Sequence, residues 1–336
     1  MQKRAVLICV EGSHSKGLGH VYRSLRLARA LRTAGISSFF VANDDITSCN
    51  ILRMEGFEVF IAPVGEKDGQ WERDLLAQRQ INLWWNDRLD TTLAHAQALP
   101  PELPRIHMDD AGAGLLGATA VVLTMPCHFT VARKAPCPAF VGLEYMLLEE
   151  NLGLSKYVRK EDKQWRILVS MGGSDTWGGS IFVLRCLAHA RWQDRLSITL
   201  ITGAGYSHEN QLRPLLAAHP AWRRKACVPD MATEFLQSDL LICTGGMTPF
   251  EAAATGLPAC IVASEPHEED NAAFLEQQGA GFVGGRRKGN YFEGNVVLVM
   301  ERSLSSLENI SKKAGTLCDG MGCSRCINII KGILHA

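Results

Sequence analysis

Short apolar runs that break at glycine and resume as helices set the strongest limit on how this chain can fold. The clearest is Leu240-Leu241-Ile242-Cys243, which meets Thr244-Gly245-Gly246-Met247, continues as Thr248-Pro249-Phe250-Glu251-Ala252-Ala253-Ala254-Thr255 and closes at Gly256-Leu257-Pro258. Four consecutive apolar residues fit a strand buried on both faces, the glycine pair a tight turn, and the small residues a helix packed close to a sheet. Pro249 suits a first helical turn, and Gly256 with Pro258 suits a helix end. Such a turn aims backbone N–H groups and the positive end of the helix dipole outward, where an anion such as a diphosphate would bind. Gly245, Gly246, Met247 and Thr248 are the residues of that turn. Glu251 lies one helical turn further on and suits hydrogen bonds from sugar hydroxyls. The same residues also fit a strand-to-helix turn with no duty beyond capping, and both readings stand at this point.

The pattern recurs along the chain. Strands are expected at Ala5–Val10, Ser38–Val41, Phe57–Ile61, Ile81–Trp85, Arg105–Met108 and Ala120–Thr124, then at Arg166–Ser170, Ile198–Ile201, Ala226–Val228, Leu240–Cys243 and Ala259–Val262. Helices fill the intervals, among them one from Val21 with Leu25, Ala28 and Leu31 at helical spacing, closed by Gly35. This alternation predicts an α/β fold with largely parallel sheets covered on both faces. At 336 residues the chain exceeds the usual single domain. The polar run from Glu149 to Gln164 is the expected linker, dividing residues 1–150 from 164–336, with the last helix free to pack back on the first domain. A ligand is expected in the crevice between two such domains, beside the carboxyl ends of their strands.

Charge and cysteine usage narrow the class. With 35 basic and 35 acidic residues there is no excess charge to attract nucleic acid, so any phosphate must be met locally. The 11 cysteines are odd in number and sit mostly in apolar strands, which suits reduced thiols in a cytoplasmic protein. Cys318, Cys323 and Cys326 are spaced like part of a cluster-ligand set but lack a fourth partner, and a glycine-bearing turn before a helix is the preferred reading. No metal and no cofactor is expected. Neither a signal peptide nor a bilayer-spanning run is visible, and nothing marks an oligomeric state.

Three glycine-bearing loops each follow a strand and precede a helix: Gly17-Leu18-Gly19-His20, Gly172-Gly173-Ser174-Asp175 and the Gly245-Gly246 turn. Glycine lets backbone approach a ligand closely. Neither the dinucleotide fingerprint nor the P-loop pattern is present. His20, at the start of a helix, reads either as a catalytic base or as a capping or structurally satisfied imidazole. His14 reads as an exposed loop residue or a substrate contact.

The loops in this order, with Val21-Tyr22-Arg23, Gly142-Leu143-Glu144-Tyr145 and Asp319-Gly320-Met321-Gly322, resemble the UDP-sugar hydrolase of pseudaminic-acid biosynthesis and its spore-coat polysaccharide relatives. The second half is similar more broadly to glycosyltransferases of the two-Rossmann-domain (GT-B) type. The resemblance implies two Rossmann-like domains with parallel sheets facing across a cleft and a UDP-sugar as the ligand. It places Val228 and Met231 near the base, Glu251 at the ribose, the Gly245–Thr248 turn at the diphosphate, and Gly17, Gly19, Gly172, Gly173 and Ser174 around the substrate. It makes His20 the residue that activates water to displace UDP at the anomeric carbon, with Arg23 near the departing diphosphate. Hydrolysis is the reaction it implies; transfer to another acceptor is the alternative, and a nucleotide-sugar-binding protein without activity the second.

Two departures from the hydrolase pattern stand out. Its Asp-x-Tyr element corresponds here to the region Leu83-Trp84-Trp85-Asn86-Asp87-Arg88-Leu89-Asp90, without the tyrosine, and its Asn-Gln pair is replaced by His267-Glu268, which is closer to the transferases and is counted among the residues expected at the substrate.

Overall fold

The computed structural model describes residues 4–13, 17–63, 69–149, 152, 164–228, 230–303 and 306–335. His14 and most of the expected linker lie outside the described residues. The chain forms two compact units, one of Met1–Glu149 with Met321–Ala336 and the other of Glu150–Gly320.

In the first unit, β1 (Ala5–Val10), β2 (Ser37–Ala42), β3 (Val59–Ile61), β4 (Leu83–Asp87), β5 (Arg105–Met108), β6 (Ala120–Leu123) and β7 (Ala139–Val141) form one parallel sheet in the order β3-β2-β1-β4-β5-β6-β7. Helices α1 (Gly19–Thr33), α2 (Ile46–Met54), α3 (Gln70–Arg79) and α4 (Leu93–Ala98) separate the first five strands. Every residue of β1 is buried, as its unbroken apolar run requires. Val21, Leu25, Ala28 and Leu31 of α1 are buried against one face of the sheet, together with Cys326, Ile327 and Ile330 of the last helix, α12 (Gly322–His335). Gly322 marks that docking: a Cβ there would lie 2.0 Å from the carbonyl oxygen of Met146. Cys323 and Cys326 are buried thiols directed at the carbonyls of Leu148 and Tyr145, at 3.7 and 3.6 Å.

The second unit repeats the plan with β8 (Trp165–Ser170), α5 (Gly179–Ala188), β9 (Leu196–Thr202), α6 (Glu209–Ala218), β10 (Arg223–Ala226), α7 (Met231–Leu236), β11 (Leu240–Cys243), α8 (Thr248–Thr255), β12 (Ala259–Ala263), α9 (Pro266–Gln277), β13 (Gly281–Lys288), β14 (Tyr291–Gly294), α10 (Val296–Ser303) and α11 (Leu307–Ala314). Its sheet runs β10-β9-β8-β11-β12-β13-β14, with only β14 antiparallel to its neighbour. Both units are therefore doubly wound α/β sheets. In each, strand order reverses between the first and fourth strands, and ligands bind beside the carboxyl ends of the strands at such a switch point. The loops that end at His20, Asp175 and Gly246 all follow strands at these points.

The main differences from the sequence expectation are these. The strand expected at Ile81–Trp85 lies two residues later, so that Asp87 becomes its last residue. The strand expected at Ala226–Val228 is instead Arg223–Ala226, an exposed edge paired only with β9. β7, β13 and β14 have no counterpart in the expectation. No helix among the described residues is long and apolar enough to cross a membrane.

Candidate functional site

In the first unit, α1 begins just after the loop that follows β1, and His20 is its second residue. Its Nδ1 lies 2.8 Å from Oδ1 of Asp87, the residue that closes β4. Asp87 is fully buried and also accepts from Ser24 Oγ at 2.6 Å and Arg23 Nε at 2.9 Å. Arg23 bridges to a second carboxylate, its Nη1 lying 2.7 Å from Asp109 Oδ2. Asp109 follows β5 with a positive φ of 49°, and it accepts from the Thr124 N–H and hydroxyl, each at 2.7 Å. His128 stands 3.6 Å from its other side. Burial by itself would raise the Asp87 carboxyl, but the Arg23 guanidinium and His20 outweigh it and hold the carboxyl at about 2. Asp109 is likewise held well below the usual carboxylate range, against burial, chiefly by Arg23 and His128. Burial would lower His128, but Asp109 and Cys127 raise it to about 10.

This arrangement gives His20 a direction. A carboxylate beside Nδ1 favours the tautomer that donates from Nδ1, although Arg23 Nη2 also lies 3.0 Å from that nitrogen. Both groups cannot use Nδ1 at once, and the guanidinium has two carboxylates to donate to. We therefore assign the Nδ1 proton to the Asp87 bond, which leaves the Nε2 lone pair available. The His20 side chain is 18% exposed, whereas Arg23 is 3% exposed with its nitrogens committed to Asp87 and Asp109. Arg23, expected near the departing diphosphate, holds the carboxylates that orient His20. Gly17 adopts a left-handed φ of 76° and Gly19 is exposed as the first residue of α1.

In the second unit, β11 leads through Thr244, Gly245, Gly246 and Met247 into α8. Gly245 is required by packing, because a Cβ there would lie 2.5 Å from the carbonyl oxygen of Glu268. Its own carbonyl accepts from Asn271 Nδ2 at 2.8 Å. Glu268 is buried and pulls the turn inward: its carboxylate accepts from the backbone N–H groups of Ser264, Glu265 and Gly245. Burial nevertheless raises its pKa, with those bonds opposing. The expected fan of outward N–H groups is thereby corrected at Gly245, whose N–H is taken by Glu268. Gly246, Met247 and Thr248 remain partly exposed at the start of α8, where helix geometry leaves N–H groups without partners in the helix.

Glu251 is 8% exposed in the first turn of α8. Gly256 ends the helix in a left-handed conformation, as its sequence position implies. Glu268 holds the turn from beneath, and His267 beside it is exposed. In the loop after β8, Gly172 has φ 83° and the Gly173 backbone packs so tightly on Gly203 that a Cβ on the latter would fall 2.3 Å from the Gly173 carbonyl oxygen. Ser174 Oγ lies 2.9 Å from Thr176 Oγ1, and the Asp175 carboxylate accepts from the Gly179 and Ser180 N–H groups at the start of α5. Val228, between β10 and α7, and Met231, the first residue of α7, are half-buried. The sequence-marked residues thus fall into two groups, one in each unit.

Sequence reasoning missed Asp87 and Asp109. Their signal is positional: Asp87 closes one buried strand, after Leu83-Trp84-Trp85-Asn86, and Asp109 directly follows another, Arg105-Ile106-His107-Met108. It also missed a second buried network, in which Glu72 accepts from Cys9 Sγ at 2.9 Å, Trp84 Nε1 at 2.6 Å and His95 Nε2 at 2.6 Å.

Residues 168–287 match the glycosyltransferase family 28 C-terminal domain. Over 97% of its length the chain is 23% identical to the spore coat polysaccharide biosynthesis protein SpsG of Bacillus subtilis, of which it covers 97%. It is 25% identical to the UDP-N-acetylglucosamine--N-acetylmuramyl-(pentapeptide) pyrophosphoryl-undecaprenol N-acetylglucosamine transferase of Salmonella arizonae, over 78% of this chain and 80% of that one. Among solved structures, Anabaena HepE in complex with UDP and glucose superposes with a TM-score of 0.62 at 13% identity, covering 98% of this chain and 100% of that one. The fold is of the GT-B type. The expected UDP-sugar hydrolase is overturned by these matches, since the matched domain is that of a glycosyltransferase family and the relative named for its reaction is a transferase. These matches do not support the link to pseudaminic acid.

Proposed function

We propose that this chain is a glycosyltransferase that uses a UDP-sugar donor in polysaccharide biosynthesis. The observation that carries the reading is the turn from Gly245 to Thr248, which opens α8 at the switch point of the second sheet within the stretch that matches a glycosyltransferase domain. The partly exposed N–H groups and the α8 dipole suit a diphosphate, and Glu251 suits the ribose hydroxyls. The named relatives support UDP-linked sugar as the donor and a saccharide as the acceptor class.

In the first unit the His20–Asp87 pair suits general-base work. The acceptor oxygen forms a bond to the anomeric carbon as its proton passes to His20 Nε2, and the bond from that carbon to the diphosphate oxygen breaks to release UDP. The imidazolium so formed is stabilised by Asp87 against its Nδ1–H, which the Arg23–Asp109 pair holds in place.

The test is UDP release from a panel of UDP-sugars with and without saccharide and lipid-linked acceptors, with products identified by mass spectrometry. Release is expected to rise sharply with one acceptor and to yield a new glycoside. His20→Ala is expected to lower that rate by about a hundredfold or more with UDP affinity unchanged. A release rate that no acceptor increases would refute the reading.

A further inference from the structure

We propose that Trp177 is a stacking platform for the pyranose ring of the donor, and hence a specificity-determining contact of the second unit; this rests on the UDP-sugar reading above. Trp177 lies in the loop between β8 and α5 and is 44% exposed. Exposure of a large apolar ring is unremarkable by itself. What distinguishes this ring is that it is held. Its Nε1 donates to Glu265 Oε1 at 2.7 Å, and the Arg287 guanidinium sits 3.8 Å from the ring centroid, over one face. Arg287 is itself fixed, donating from Nε to the Ser264 carbonyl at 2.6 Å and from Nη2 to Glu265 Oε2 at 3.2 Å. The loop behind the ring is tied down by the Asp175 carboxylate at the start of α5 and by His208 Nε2, 2.7 Å from the Asp175 carbonyl oxygen. An indole with its edge pinned and one face covered by a guanidinium holds its exposed surface in a set orientation. Such a ring loses little freedom when a ligand stacks on it.

The pin is shared with the candidate nucleotide turn. Ser264 and Glu265, which hold Trp177 and Arg287, donate their N–H groups to the Glu268 carboxylate that also takes the Gly245 N–H. Strand order supplies the direction. Val228 and Met231 follow β10, the Gly245 turn follows β11, Ser264 and Glu265 follow β12, and Arg287 belongs to β13, in a sheet ordered β10-β9-β8-β11-β12-β13-β14. Strands are spaced by about 4.8 Å. A nucleotide with its base at the β10 end and its diphosphate at β11 directs its sugar towards β12 and β13, where the Trp177 ring is held. The electron-rich face of an indole attracts the polarised C–H groups of a pyranose, and the ring also excludes water from them.

The experiment is calorimetric titration of the full chain with UDP, UDP-glucose and UDP-N-acetylglucosamine, in wild type, Trp177→Ala and Trp177→Phe. Trp177→Ala is expected to weaken the tighter-binding UDP-sugar by about tenfold while UDP itself changes by less than about twofold. Trp177→Phe, which keeps a flat ring but not the Nε1 anchor, is expected to recover most of that loss. UDP-sugar affinity unchanged in Trp177→Ala would overturn the proposal, and so would an equal loss for UDP and the UDP-sugars, which would assign the ring to the nucleotide or to the fold. Wild-type protein that binds none of the three probes would instead refute the donor reading itself.

Discussion

Replacing Asp87 by Asn tests the buried charge relay without changing its shape. Asp87 receives Ser24 Oγ, His20 Nδ1 and the Arg23 guanidinium on its two oxygens. An amide has one oxygen and one NH2, so at least one of these donors must face another donor. The carboxyl is held at about 2 instead of its usual 3.8, which corresponds to about 2–3 kcal/mol in favour of the ionised form in the fold. Losing that charge leaves Arg23 buried with Asp109 alone, and breaking a buried pair from one side typically costs about 3–5 kcal/mol. We expect Asp87→Asn to lose about 3 kcal/mol in urea denaturation at pH 7. The sign with pH follows from the depressed value: the carboxylate's contribution is present above its unfolded pKa and is lost as pH falls through the folded one. Wild type should therefore lose stability between about pH 4 and pH 2 more steeply than the variant.

The catalytic effect is separate from the stability effect. With the amide NH2 turned to Nδ1, the imidazole carries its proton on Nε2 and cannot accept another there. Acceptor-dependent UDP release should fall by about 10²–10⁴, the range that a positioned general base contributes, while UDP affinity measured by calorimetry stays within about twofold. A folded Asp87→Asn protein with turnover near wild type would refute the tautomer assignment, and parallel loss of UDP affinity would refute the separation of roles.

Two further substitutions probe the packing beneath the sites. Gly245→Ala forces a Cβ within 2.5 Å of the Glu268 carbonyl oxygen and should cost about 1–3 kcal/mol in thermal or urea denaturation and weaken UDP binding, whereas Gly246→Ala, whose nearest neighbour would be 3.7 Å away, should change stability by less than about 0.5 kcal/mol; equal behaviour of the two variants would contradict the packing. Glu72→Gln removes a buried carboxylate that burial would raise but that His95 and Arg88 hold at about 2, and it should destabilise the protein by about 3 kcal/mol while leaving turnover per folded molecule unchanged, which urea titration and UDP-release assays on the same preparation would check.

Local pattern made much of the fold legible. Ala5–Val10 and Leu240–Cys243 form strands at the expected residues because unbroken apolar runs between turn signals need buried positions on both faces, and Arg105–Met108, which alternates polar and apolar residues, is a strand where expected as well. The start and end of α8 follow equally from Pro249 and Gly256, whose backbone preferences act within one turn. β10 lies mostly outside its expected residues because Arg223-Arg224-Lys225 carries no apolar signal: its side chains are exposed and only its pairing with β9 makes it a strand. The two-residue shift of β4 hid the one carboxylate that gives His20 its direction.

By itself, then, the sequence determined the alternation of strand and helix, the glycine loops and the chemistry available in them, since each depends on residues a few positions apart. The tertiary structure alone decided what that chemistry is paired with. Asp87 lies 67 residues from His20, and Asp109 lies 86 from Arg23, yet sheet order β1-β4-β5 places their strands side by side and makes Arg23 the buried link between two carboxylates. In the second unit the same physics gave Glu268 backbone donors, because a buried carboxylate must be satisfied where it is, and the nearest N–H groups are those of its own helix start and the Gly245 turn.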